Sequence, residues 1–76
     1  MERKYFTLCL WDAENEMWYD EFCSFSRKEV AEEKTIWTQD NGVSPRHACI
    51  IVSDGTAKGM MSTRDALPAP KAYAKG

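Results

Sequence analysis

Three features of the sequence predict an α+β fold, one small antiparallel sheet with a single helix packed on one face. A period-two apolar stretch opens the chain, a helix marked at both ends follows, and an almost continuous apolar run comes after the helix stop. Residues 4–11 alternate, with Phe6, Leu8 and Leu10 on one side and Tyr5, Thr7, Cys9 and Trp11 on the other. The first set is wholly apolar and is assigned to the core. The second is amphipathic and suits a partly exposed side.

Asp12-Ala13-Glu14-Asn15-Glu16 is a polar break of hairpin length, and residues 17–25 read as the returning strand. Its register decides which side is buried, because a one-residue slip exchanges the faces. A three-residue loop puts Trp18 and Phe22 with Phe6 and Leu10 and sets Asp20 opposite Leu8. A four-residue loop puts Tyr19 and Cys23 there instead and gives Glu21 the awkward place. The first is preferred because it buries more aromatic area.

Ser26 then stands where a helix N-cap belongs, with Glu29 three residues on to complete a capping box and Phe25 and Val30 placed as a hydrophobic staple. The helix is expected through residues 29–40, with Val30 and Trp37 on its buried side and Ile36 off that stripe. Asn41-Gly42 supplies a left-handed stop, Val43 its accompanying apolar contact, and Pro45 prevents continuation.

Residues 46–53 (Arg-His-Ala-Cys-Ile-Ile-Val-Ser) read as an interior strand. Asp54-Gly55 is a two-residue hairpin signal, so residues 57–63 are expected to return as a fourth strand weakened by Gly59. A looser loop through Gly59, with only 60–63 paired, is the alternative. From Arg64 the chain turns rich in Ala, Pro and Lys without periodicity, which predicts a flexible C-terminal tail at 64–76 after a single domain at 1–63. The element order is then β-β-α-β-β, and the sheet face opposite the helix has only the tail left to cover it.

At 76 residues the domain is small, with about 4–8 kcal/mol of net stability on the usual per-residue scale. A 43% apolar content argues against disorder, and a net charge of −2 signals neither a polyanion-binding protein nor a DNA mimic. Three cysteines with no CxxC exclude a complete disulfide framework and point to a reducing compartment. The apolar stretch after Met1-Glu2-Arg3-Lys4 has no A-x-A-like cleavage site and runs into Asp12, Glu14 and Glu16, so it reads as a strand rather than a signal peptide. No run approaches membrane-spanning length. A cytoplasmic protein with no membrane partner is expected.

Catalytic patterns are poor. His47 and Cys49 share a strand face, but their backbones lie about 6.5–7 Å apart, long for thiol activation. Cys9, Cys23, Cys49 and His47 lack the close pairs of a structural zinc site. Asp54-Gly55-Thr56-Ala57-Lys58-Gly59 resembles a phosphate loop but lacks the Gly-Lys-Ser/Thr ending, and no helix is predicted after it. The carboxylates of the first hairpin read as a solvated acidic turn. No enzyme, metal or cofactor is expected.

What remains is aromatic. Tyr5, Trp11 and Tyr19 are the expected anchors of a binding face, with Glu14 and Glu16 as an acidic rim, and half of their explanation is simply core filling. The leading expectation is a protein–protein interaction module whose partner is another protein or a second copy in a homodimer. Single-stranded nucleic-acid binding through the same aromatics is the alternative. It is disfavoured by the acidic hairpin, the dispersed basic residues and the missing Gly-aromatic pattern. Size, a lone α+β unit and the lack of catalytic residues give the general look of small accessory proteins carried by phages and mobile elements, some of which bind and inhibit host proteins.

Overall fold

A computed structural model describes residues 4–70. Strands β1 (Tyr5–Asp12), β2 (Met17–Ser24) and β3 (Ala48–Ser53) form an antiparallel sheet of order β2-β1-β3. Helix α1 (Arg27–Thr35) continues as a π-helical turn (Ile36–Asp40), a 3-10 turn (Pro45–His47) leads into β3, and helix α2 (Ala57–Asp65) ends the regular structure. The class is α+β as predicted.

The β1 alternation holds. Phe6, Leu8 and Leu10 meet Val30 of α1 and Ala48 of β3 in a first core layer, with Phe22, Trp37, Val43 and Ile50 packed around it. The β1–β2 register is neither of the two simple ones. Asp12 pairs with Met17 across a four-residue turn, and this puts Tyr19 opposite Leu10. A bulge then sets Glu21 out of the ladder, so that Phe22 stands opposite Leu8 and Ser24 opposite Phe6. The extra residue removes the conflict each uniform register carried: no carboxylate faces Leu8, and Phe22 reaches the core. Trp18 lands on the other face, beside Trp11.

Both ends of α1 are marked as the sequence indicates, with two differences. The Ser26 hydroxyl accepts from the Glu29 N–H at 3.3 Å, but Glu29 returns through Ser24. The Ser24 hydroxyl donates to Glu29 Oε1 at 2.7 Å and accepts from the Ser26 N–H at 2.9 Å. Phe25 does not staple to Val30; its ring sits edge-on to Tyr5 at 4.8 Å on the far side of the sheet. At the other end Gly42 adopts φ +74°, and the Val43 N–H reaches back to the Trp37 carbonyl at 3.0 Å.

The expected fourth strand is a helix. The Asp54 carboxylate does not sit in a hairpin turn but accepts the Thr56 N–H at 3.0 Å and the Thr56 hydroxyl at 2.7 Å. That hydroxyl in turn accepts the Gly59 N–H at 2.9 Å as the N-cap of α2. Gly55, at φ +89°, turns the chain between them. Gly59 is a close-approach glycine: a Cβ there would run into the Asp54 carboxylate and the Thr56 hydroxyl.

Consequently the second face of the sheet is covered. Cys9, Trp18, Ile51 and Met60 form a second core layer, flanked by Trp11, Cys49 and Leu67. The tail boundary expected at Arg64 falls inside α2, and residues 66–70 continue from it across the sheet. There the Pro68 carbonyl accepts the Trp18 indole N–H at 3.0 Å. The rest of the expected tail, 71–76, lies outside the described residues.

Thr7 is fully buried in this layer, opposite Cys23 and Ile51, and its hydroxyl has no hydrogen-bond partner among the described residues. Thr7→Val keeps the shape and removes an unpaired polar group, so it is expected to raise stability by about 1 kcal/mol. Urea denaturation checks this: the midpoint rises at unchanged slope, and a fall would mean the hydroxyl is bonded.

A candidate binding site beside the paired tryptophans

The site is built by the turn that joins β1 to β2. Asp12 organises it: its carboxylate accepts the Glu14 N–H at 3.0 Å, the Asn15 N–H at 3.3 Å and the Asn15 side-chain amide at 2.8 Å. The Asn15 amide first, then these backbone donors, hold the Asp12 carboxyl below its ordinary value. Glu16 closes the turn at φ +55°, the left-handed region, and is the one non-glycine residue there among those described.

Past this turn the indoles of Trp11 and Trp18 meet edge to face, 5.4 Å between centroids. α2 and its C-terminal extension cross the sheet beside them without closing over them. A depression of about 250 Å³ remains, lined by Trp11, Glu16, Met17, Trp18, Arg64, Asp65, Leu67 and Ala69.

Charge in the depression is unbalanced. Arg64 is committed: its guanidinium reaches Asp20 of β2 at 2.8 Å and Asp65 at 3.2 Å, and its side chain is only 16% exposed. Burial alone would lower the Arg64 pKa, but Asp65 and Asp20 outweigh it and hold the pKa above the ordinary value. Arg64 thus pairs with two carboxylates, Asp20 and Asp65, and Glu16 adds another to the lining of the depression. The chemistry on offer is two aromatic walls and excess negative charge, which suits a cation.

The sequence-expected site residues are dispersed. Trp11 and Glu16 line the depression, and Glu14 is exposed in the adjoining turn. Tyr5 is on the same sheet face but at its other end, with Phe25; a hydrogen bond with the Cys23 side chain, then burial, raises its pKa. Tyr19 is on the opposite face, opposite Leu10, 37% exposed, with its pKa raised by burial first and then by Glu21 and Asp12. Trp18, Asp65 and Leu67 fall outside the expected set because the four-residue turn puts Trp18 on this face and α2 brings in the other two.

The remaining chemical candidates have plain explanations. Cys9 stands opposite Cys49 in the β1–β3 ladder; burial first, then the neighbouring Cys49 and Asp20, pushes its thiol up to about 12, far from a nucleophile. The Cys49 thiol contacts the Ile50 carbonyl at 3.9 Å. The helix missing from the phosphate-loop reading does exist, but the Asp54 carboxylate and the Thr56 hydroxyl occupy its N-terminal end. Among the described residues no cluster of His, Cys, Asp and Glu is arranged to hold a metal, and no helix is long and apolar enough to cross a membrane. Comparison of the chain with protein-family models, curated proteins and solved structures finds no match.

Proposed function

We propose that this chain is a non-enzymatic protein-binding module, and that its contact is the depression beside Trp11 and Trp18, which receives a lysine or arginine side chain of a partner protein. The observation that supports this most is the combination in one recess of two indole walls with an excess of carboxylate. A guanidinium or ammonium gains from the indole faces and from Glu16 and Asp65 together, whereas an apolar side chain gains only the first. A module of this kind acts by masking a basic patch on its partner, and its size and fold class are those of small phage and mobile-element accessory proteins, some of which bind and inhibit host proteins. A phosphate backbone meets Glu16 and Asp65 at the same place and is repelled, which makes single-stranded nucleic acid the poorer fit.

The probe is a blocked tripeptide, Ala-Arg-Ala, followed by the two indole N–H resonances. Saturable shifts with a dissociation constant of about 1–10 mM are expected for so small a ligand, and none for Ala-Ala-Ala. Glu16→Gly removes the carboxylate while suiting the backbone at φ +55°, so it should weaken arginine binding about threefold to tenfold without loss of stability. Equal shifts with both tripeptides, or salt-sensitive binding of oligothymidylate in their place, would overturn the assignment.

A further inference from the structure

The two edges of the sheet are built differently. β2 carries Asp20 and Glu21 and the bulge, the devices that stop a strand from pairing further. β3 has none of them: Ala48-Cys49-Ile50-Ile51-Val52-Ser53 contains no charge, no proline and no bulge against β1. Among the described residues it pairs with β1 alone, and Val52 near its end is 44% exposed. An uncharged edge with its ladder groups unpaired is a template for another strand.

We infer that β3 pairs antiparallel with β3 of a second copy of this chain, joining two three-stranded sheets into one of six. Residues facing each other across an antiparallel pair lie on the same side of the sheet, so the two-fold axis passes through a residue. Two registers pair most of the strand. Centred on Ile50, Val52 meets Ala48 and Ile51 meets Cys49 of the second copy, large beside small in both cases. Centred on Ile51, Val52 meets Ile50 and Ser53 meets Cys49.

Charge separates the two. In the Ile50-centred register the residues flanking the strand come opposite one another as Arg46 and Asp54, once at each end. Both are exposed, and Asp54 Oδ1 takes both bonds from Thr56, so Oδ2 is the oxygen offered to the guanidinium. In the Ile51-centred register Arg46 faces Thr56 and gains nothing. The complementary ends point to a second copy in the first register rather than to a foreign strand.

An axis normal to the sheet keeps both α2 helices on one side. The assembly would then present two Trp11 depressions toward the same partner surface, which raises avidity without a new contact. The edge lies on the far side of β1 from the turn that builds the depression, so the pairing and the proposed cation site stand or fall separately.

Sedimentation velocity over a concentration series up to about 1 mM tests the pairing. The native chain is expected to dimerise. Val52→Lys puts a gatekeeper charge on the edge and should raise the dimer dissociation constant at least about tenfold, with the monomer's circular dichroism unchanged. Arg46→Glu, in the exposed turn before β3, should raise it about threefold to tenfold and reverse its salt dependence, since salt then screens a repulsion from Asp54, and carries the test alone if Val52→Lys unfolds. A dimer indifferent to both variants overturns the edge as the interface. A monomer throughout the series overturns the second copy as occupant, including the case in which a strand of another protein adds instead.

Discussion

Replacing Leu8 by alanine is expected to remove about 3–5 kcal/mol of stability, a large share of the about 4–8 kcal/mol a chain of this size has to lose. Leu8 is fully buried in the middle of the central strand. It stands opposite Phe22 on one side and Ile50 on the other, in the layer that seats Val30. The truncation leaves a cavity bounded by three separate elements, so no single side chain can collapse into it. Urea denaturation of Leu8→Ala and Ile36→Ala gives the comparison. Ile36 is exposed on the π-helical turn and its truncation should cost less than about 0.5 kcal/mol. A Leu8 loss as small as that for Ile36 would mean that α1 does not pack on β1 as described.

What the sequence made legible follows from how local each signal is. The β1 faces, the Ser26 N-cap and the Gly42 stop depend on residues within a few positions of one another, and they hold, although Glu29 closes the cap through Ser24 and Phe25 turns to Tyr5 instead of Val30. The bulge depends on a comparison across strands: nothing near Glu21 marks it as the residue to be set aside, and only Leu8 opposite decides that Phe22 is the better neighbour. The helix α2 was obscured by ambiguity. Asp54-Gly55 is the composition of a tight hairpin, and here the same aspartate serves the N-cap threonine of a helix. A helical signal did exist, since Met60, Thr63, Arg64 and Leu67 are spaced i, i+3, i+4, i+7 and all are buried or half-buried. Two of the four are polar, which hides the stripe. Thr63 bonds the Gly59 carbonyl at 2.8 Å and Arg64 pairs with Asp20. Without this helix the expected fold leaves a whole sheet face open. The candidate site then moved from that face as a whole to the one recess α2 leaves.

Trp18 holds that recess together, and Trp18→Ala is expected to cost about 3–5 kcal/mol. The residue is buried in the second core layer with Cys9, Ile51 and Met60, and its ring meets Trp11. Its indole N–H also binds the Pro68 carbonyl, a bond to backbone with no regular structure of its own. Two contributions can be separated by a second variant. Trp18→Phe retains most of the apolar surface but has no donor, and the Pro68 carbonyl, near the surface, can turn to water. It should cost about 0.5–1.5 kcal/mol beyond the change in ring size. Hydrogen exchange then reports on the segment directly. The Leu67 amide, which donates to the Arg64 carbonyl at 3.1 Å, and the Ala69 amide should exchange faster in Trp18→Phe while those of β1 do not. Unchanged exchange at Leu67 and Ala69 would show that α2 alone, through Met60 and the Arg64–Asp20 pair, fixes the segment. Acceleration there, together with weaker arginine binding, would show that one indole both anchors the chain's crossing of the sheet and forms the wall the cation rests on.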